Sequence, residues 1–204
     1  GLAWKESASM HLDAKDRDAY FSQTINTSLR IFGSLGLLLI AATPLFFGAL
    51  FDAKYHEAMN YIPILVVGAL FNAAVELYAG VYVAKKMSGK LATTNIIAAI
   101  ISIVLNFIFI RYIGLYAAAL AMMTAFGVMA IWRAFDVRKY IKITYDKNVF
   151  ITLAMLHGVV ICLYYVDIAW ASVTGLIIAS VSAYWMNRRE LRRIGMLMKK
   201  KIAK

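Results

Sequence analysis

Six uninterrupted apolar stretches, each about as long as a lipid bilayer is thick, decide most of what this chain can be. They fall at approximately 31–51 (IFGSLGLLLIAATPLFFGALF), 58–84, 91–110 (LATTNIIAAIISIVLNFIFI), 115–132 (LYAAALAMMTAFGVMAIW), 148–166 and 168–186. A hydrocarbon core about 30 Å thick takes roughly 20 helical residues, and backbone inside it must be hydrogen-bonded within a helix or a closed barrel. The runs are continuous instead of alternating, which argues against transmembrane strands. Charged residues cluster between the runs, and 62% of the 204 residues are hydrophobic against 16% charged, a balance outside the usual range of water-soluble domains. The expected fold class is an all-α integral membrane protein with about six transmembrane helices.

The basic residues orient those helices. Lys and Arg number four before the first run, three between the second and third, five between the fourth and fifth, and eight after Asn187, whereas the remaining connections hold only Lys54 and Arg111. Because cytoplasmic loops carry the Lys/Arg excess, this 20-to-2 split predicts both ends in the cytoplasm of a multi-pass membrane protein. The net charge of +11 is thereby explained without nucleic acid as a partner. The expected divisions are a cytoplasmic lead-in at 1–30, four spans at 31–135, a basic loop at 136–147, a hairpin at 148–187 and a basic tail at 188–204. Asp167 is the hinge of that hairpin. The tail flanks a membrane exit, where it serves topology and also attracts anionic head groups of membrane lipids. The opening Gly-Leu-Ala-Trp, 1–4, reads as the end of an earlier span, as in a fragment.

Catalytic motifs are lacking. His11, His56 and His157 are scattered, no nucleotide-binding or nucleophile-elbow pattern occurs, and the loose cluster Asp13, Asp16, Asp18 reads as a solvated surface. No cofactor, metal or enzymatic activity is expected. Cys162, alone in an apolar run, reads as a small buried hydrophobe. Polar residues within the runs say more. Glu76 interrupts LFNAAVELYAGVYVAKK, with Asn72 one turn earlier on the same face; Asn95 and Asn106 are eleven residues apart, close to three turns. A carboxylate at that depth belongs against a bundle interior or a watery cavity, where it would couple an ion or line a transport path. Interhelical hydrogen bonding, with Gly68, Ala69, Ala73 and Gly80 allowing close approach, is the alternative for the asparagines. Pro44 and Pro63 interrupt the first two spans, where each removes a helical hydrogen bond and can kink its helix, although prolines are also simply common in transmembrane helices. No Lys or Arg falls inside the runs as delimited; Arg30, Lys85 and Lys86 at the cytoplasmic rim are the nearest candidates for contacting an anionic head group.

Residues 54–128 resemble a known family. The Tyr55-x-x-Ala58 entry, IPIL with Pro63, the pair Lys85-Lys86, Asn106 and the run YIGLYAAALA (Tyr112 to Ala121) are similar to the C-terminal half of polysaccharide-biosynthesis flippases of the multidrug/oligosaccharidyl-lipid/polysaccharide exporter superfamily. Gly114, Ala117, Ala118 and Ala121 fit that pattern, whereas Arg111, Tyr116 and Met122 depart from it. The resemblance implies a two-lobe helical bundle with 148–186 as an appended hairpin, and a missing N-terminal lobe as the natural partner. It implies translocation of an undecaprenyl-pyrophosphate-linked oligosaccharide for O-antigen, capsule or exopolysaccharide synthesis, by alternating access. A multidrug or small-metabolite exporter of the same superfamily, or a membrane enzyme of polysaccharide synthesis, are the competing expectations.

Overall fold

Each apolar run is a helix in the computed structural model, which describes residues 2–12, 14–166 and 168–202, with side chains for all of these except 2, 3, 194 and 197–202. The helices are α1 (Leu2–Met10), α2 (Arg17–Leu50), a 3-10 segment (Ala53–Tyr61), α3 (Ile62–Ala84), α4 (Ser88–Ile113), α5 (Tyr116–Val137), α6 (Lys147–Tyr165) and α7 (Ala169–Ile202). Six helical stretches are long and apolar enough to cross a membrane, the 3-10 segment and α3 forming one of them, and no strand occurs among the described residues. Gly1, Asp13, Asp167, Ala203 and Lys204 lie outside the described residues, so the expected hinge at Asp167 and the Asp13 member of the acidic cluster are not among them. Of that cluster, Asp16 is exposed and Asp18 accepts from Arg17 Nε at 3.0 Å.

The helices run past the apolar stretches where flanking polar residues find partners. α2 begins fourteen residues before Ile31, and its Asn26 receives the Asp146 backbone N–H at 3.2 Å and donates to the Thr144 carbonyl at 2.7 Å. Ser22, one turn earlier, accepts the Thr144 N–H at 3.0 Å. The segment after α5 is thus pinned by side chains that supply the bonds its extended backbone otherwise lacks.

The chain packs as two compact units, Gly1–Leu29 with Glu57–Asp146, and Arg30–His56 with Lys147–Lys204. In the first, α5 packs along both α3 and α4, which touch each other little, and α1 lies on α3. Its core at one end joins Phe21 and Ile25 of α2, Tyr78 and Tyr82 of α3, and Val137 and Ile141. In the second, α6 and α7 form the expected hairpin. There Asn187 donates to Ser34 Oγ at 2.8 Å, tying α7 to α2, and Gly33 makes room for the Leu153 side chain of α6.

Small residues sit where helices approach. A Cβ on Gly68 would meet Met123 Cα of α5 at 3.2 Å, while one on Gly80 would fall on the Trp4 indole of α1. Twelve residues at 100° each separate these two glycines by roughly 120° around α3, so one helix receives two neighbours. The reversal between α4 and α5 uses Gly114 at φ 54°, ψ −137°, a conformation open essentially only to glycine. The reversal between α3 and α4 is a Schellman turn: Met87 N–H reaches Tyr82 O at 2.8 Å and Lys86 N–H reaches Val83 O at 2.9 Å. Its left-handed position is held by Lys86, at φ 57°, where glycine is the usual residue.

Two expectations are corrected. Pro63 lies not in the interior of α3 but in its first turn, where its missing N–H removes no helical bond. Pro44 does lie inside a helix. Cys162 is not buried but exposed on α6, because the apolar surround there is the outward face of a membrane helix and not a protein core.

Leucine at Gly68 should lower the unfolding midpoint in detergent by the equivalent of about 1–3 kcal/mol, since the α5 backbone cannot yield as a side-chain tip can. Leucine at Gly48, which has nothing within 4 Å of its would-be Cβ, should leave the midpoint near that of the unsubstituted chain. Thermal unfolding followed by circular dichroism compares the two.

Candidate functional site

Near one end of the α3–α4–α5 bundle a guanidinium is sealed among three helices. Arg133 is 1% exposed, although it follows directly on the fourth apolar run and counted as a loop charge in the sequence. α5 continues a further turn to Val137, so Arg133 lies within the helix, correcting the expectation that the spans hold no basic residue. Its Nε and Nη2 donate to Thr94 Oγ1 at 3.1 and 2.6 Å, Nη2 also to Asn95 Oδ1 at 2.9 Å, and Nη1 to the Val75 carbonyl at 3.1 Å. Thr94 sends its own hydroxyl hydrogen back to Lys90 O at 3.0 Å, which leaves its lone pairs for the guanidinium. All three acceptors are neutral. The Tyr82 ring, 5.8 Å from the guanidinium carbon, presents its electron-rich face to the charge.

Tyr82 also links Arg133 to a carboxylate. Its hydroxyl donates to Asp136 Oδ2 at 3.0 Å, and the same oxygen receives Lys90 Nζ at 2.7 Å, while Oδ1 receives Lys139 Nζ at 3.1 Å. Lys90 further contacts Tyr140 Oη at 2.7 Å. Asp136 follows Arg133 by three residues on α5, so the two share one face. From Lys85 to Tyr145 it is the one acid, against seven basic residues on this side of the membrane: Lys85, Lys86, Lys90, Arg133, Arg138, Lys139 and Lys142. Asp136 therefore neutralises a fraction of the basic charge between Lys85 and Lys142, and the same unit also carries Glu6, Asp16, Asp18, Glu76 and Asp146.

The sequence-predicted residues are dispersed. Glu76 is next to Val75 yet points elsewhere: its side chain is 52% accessible and Oε2 lies 3.2 Å from Lys5 Nζ of α1. Gly80, one turn further on α3, accommodates Trp4, whose indole N–H donates to Leu77 O at 3.0 Å. Glu76 and Gly80 thus face α1, with Lys5 and Trp4 answering them, and the acid meets a cation instead of a cavity. Asn95 joins the Arg133 cluster. Asn72 is half-buried, and Asn106, half-buried three turns beyond Asn95, keeps an Oδ1 with no partner among the described residues. Asn95, Ala98 and Ser102 line a cleft of about 300 Å³ against α5. Lys85 and Lys86 are exposed on the Schellman turn, while Arg30, in the other unit, is paired with Glu190.

Sequence reading missed Arg133, Asp136, Tyr82, Lys90 and Thr94. The available signal was the Arg-x-x-Asp spacing, which puts opposite charges one turn apart just where an apolar helix stops being apolar. Among the described residues no group of three or more His, Cys, Asp or Glu side chains is placed to hold a metal ion. No family model, curated protein or solved structure matches the chain.

Thr94→Val keeps the shape of the side chain but leaves two guanidinium bonds without an acceptor, and should destabilise the protein by about 1–3 kcal/mol. In an Arg133→Met background the same substitution should cost at least about 1 kcal/mol less, a coupling measurable by a double-mutant cycle. Glu76→Gln, which removes a solvent-accessible pair, should cost no more than about 1 kcal/mol.

Proposed function

We propose that the chain is part of a membrane transporter, a flippase that moves an undecaprenyl-pyrophosphate-linked oligosaccharide from the cytoplasmic to the outer leaflet of the cell inner membrane for O-antigen, capsule or exopolysaccharide synthesis. The observation that carries this reading is the basic α3–α4 turn and α5 end, where seven basic residues between Lys85 and Lys142 outnumber Asp136. By the positive-inside pattern that end is cytoplasmic, which is the leaflet where such a substrate presents its pyrophosphate. Pyrophosphate is the ligand chemistry that Lys and Arg side chains recognise through charge-assisted hydrogen bonds. Lys86 supports the reading from the backbone: a left-handed lysine costs roughly 1–2 kcal/mol relative to ordinary conformations, and it follows Lys85 on an exposed turn. In this scheme Arg133 and Asp136 hold α3, α4 and α5 in register behind that surface, and a further N-terminal lobe completes the path for alternating access.

An exporter of organic cations fits less well, because Asp136 is already engaged by Lys90, Lys139 and Tyr82. Glu76, the acid of α3, is held by Lys5.

In cells making the cognate polysaccharide, Lys85→Gln with Lys86→Gln should lower surface polysaccharide by about thirtyfold, at about 1 kcal/mol of head-group attraction per basic residue. Lipid-linked precursor should accumulate, and the protein should remain in the membrane at its normal level. Unchanged polysaccharide on deleting the whole gene would overturn the proposal.

A further inference from the structure

The α2–α6–α7 unit holds a cleft that transport as described above does not use. Its volume is about 430 Å³, and its lining includes Leu156 of α6, Ser182 and Trp185 of α7, and the three arginines Arg30, Arg188 and Arg189. The arginines mark a common level in the membrane. Arg30 precedes the apolar run of α2 at Ile31, Arg188 and Arg189 follow Asn187 where the apolar part of α7 stops, and α6 opens at Lys147. Leu156 is nine residues, or about 13 Å, further along α6. The cleft therefore runs from a basic rim into the apolar layer.

The charges at this rim are not balanced. Arg30 is paired with Glu190 through Nη2, while its Nε is buried with no acceptor among the described residues. Arg188 rests over the Trp185 ring at 5.4 Å, and neither Arg188 nor Arg189 has a carboxylate partner among the described residues. A ligand that satisfies such a site is anionic at one end and aliphatic along the rest. Basic pockets between helices on the cytoplasmic side of a membrane take phosphate head groups in this way, and a guanidinium fork matches phosphate oxygens in pairs.

We propose that this cleft is a binding site for an anionic phospholipid, with the phosphate on Arg188 and Arg189 and an acyl chain lying along Trp185 toward Leu156. The site does not rest on the transport reading, because any bilayer containing anionic lipid would fill it.

The test uses the full chain reconstituted in vesicles of phosphatidylcholine with added phosphatidylglycerol, one lipid at a time carrying brominated acyl chains. Quenching of Trp185 is read as the difference between the unsubstituted chain and Trp185→Phe. Brominated phosphatidylglycerol should quench Trp185 at a mole fraction about thirtyfold lower than brominated phosphatidylcholine, in line with about 1 kcal/mol for each of the two arginines. Arg188→Ala with Arg189→Ala, both exposed and so expected to fold, should remove the preference. Ser182→Phe, which fills the cleft and leaves every charge in place, should remove it too. Equal quenching by both lipids would overturn the proposal. So would a preference that survives Ser182→Phe, the sign of diffuse attraction to the basic tail, or loss of quenching on adding millimolar inorganic phosphate, which would make free phosphate the ligand.

Discussion

A charge that cannot leave the membrane helix it sits on organises the first unit. Arg133 is deprived of water almost completely, and a guanidinium in that condition is tolerable only when its donors are met. Thr94 and Asn95 of α4 and the Val75 carbonyl of α3 meet them, so the group binds α3, α4 and α5 at one point. Apolar packing in lipid would not do this by itself, since helix surfaces and acyl chains are nearly equivalent solvents for a leucine. The polar cluster supplies direction and register where hydrophobic burial supplies neither. Tyr82 extends it to Asp136, and Asp136 to Lys90 and Lys139, so the network passes from a dry guanidinium to ammonium groups within reach of water.

The second unit solves a similar problem with fewer bonds. Asn187 and Ser34 join α7 to α2, and Arg30 meets Glu190 close by. Orphaned atoms remain at this seam, among them Arg30 Nε, Asn187 Oδ1 and Glu190 Oε2, whereas the Arg133 cluster has none. The contrast separates a junction built to hold from one with unused hydrogen-bonding capacity beside a cleft.

The sequence told most about what the solvent dictates. The helices follow from the apolar runs because backbone polar groups in hydrocarbon must be satisfied locally, and the reversal between α4 and α5 falls in the gap between the third and fourth runs, where Gly114 is needed for its backbone conformation and not for space. Where the reading failed, it treated apolar surroundings as protein interior. Glu76 and Cys162 were both expected to be enclosed, yet Glu76 faces Lys5 on α1 and Cys162 faces outward. Period alone cannot tell a face turned to lipid from one turned to a neighbour, as both are apolar. Pro63 went astray for another reason, since the 3-10 segment ending at Tyr61 put it in the first turn of a helix and not in the middle of one.

The site itself was half legible. Asn95, Lys85 and Lys86 were named from their positions, but Arg133 was assigned to a loop because a window of apolar residues ends at Trp132. What the sequence by itself determined is that six helices are long and apolar enough to span a membrane and that basic residues cluster between them, both consequences of one-dimensional pattern. Only the tertiary structure decided that Arg133 is buried and Glu76 is not. A helix residue is neutral, costly or useful according to the partners three-dimensional packing brings to it, and Thr94 and Val75, 39 and 58 residues away from Arg133 in the chain, leave no mark of that meeting in the sequence around it.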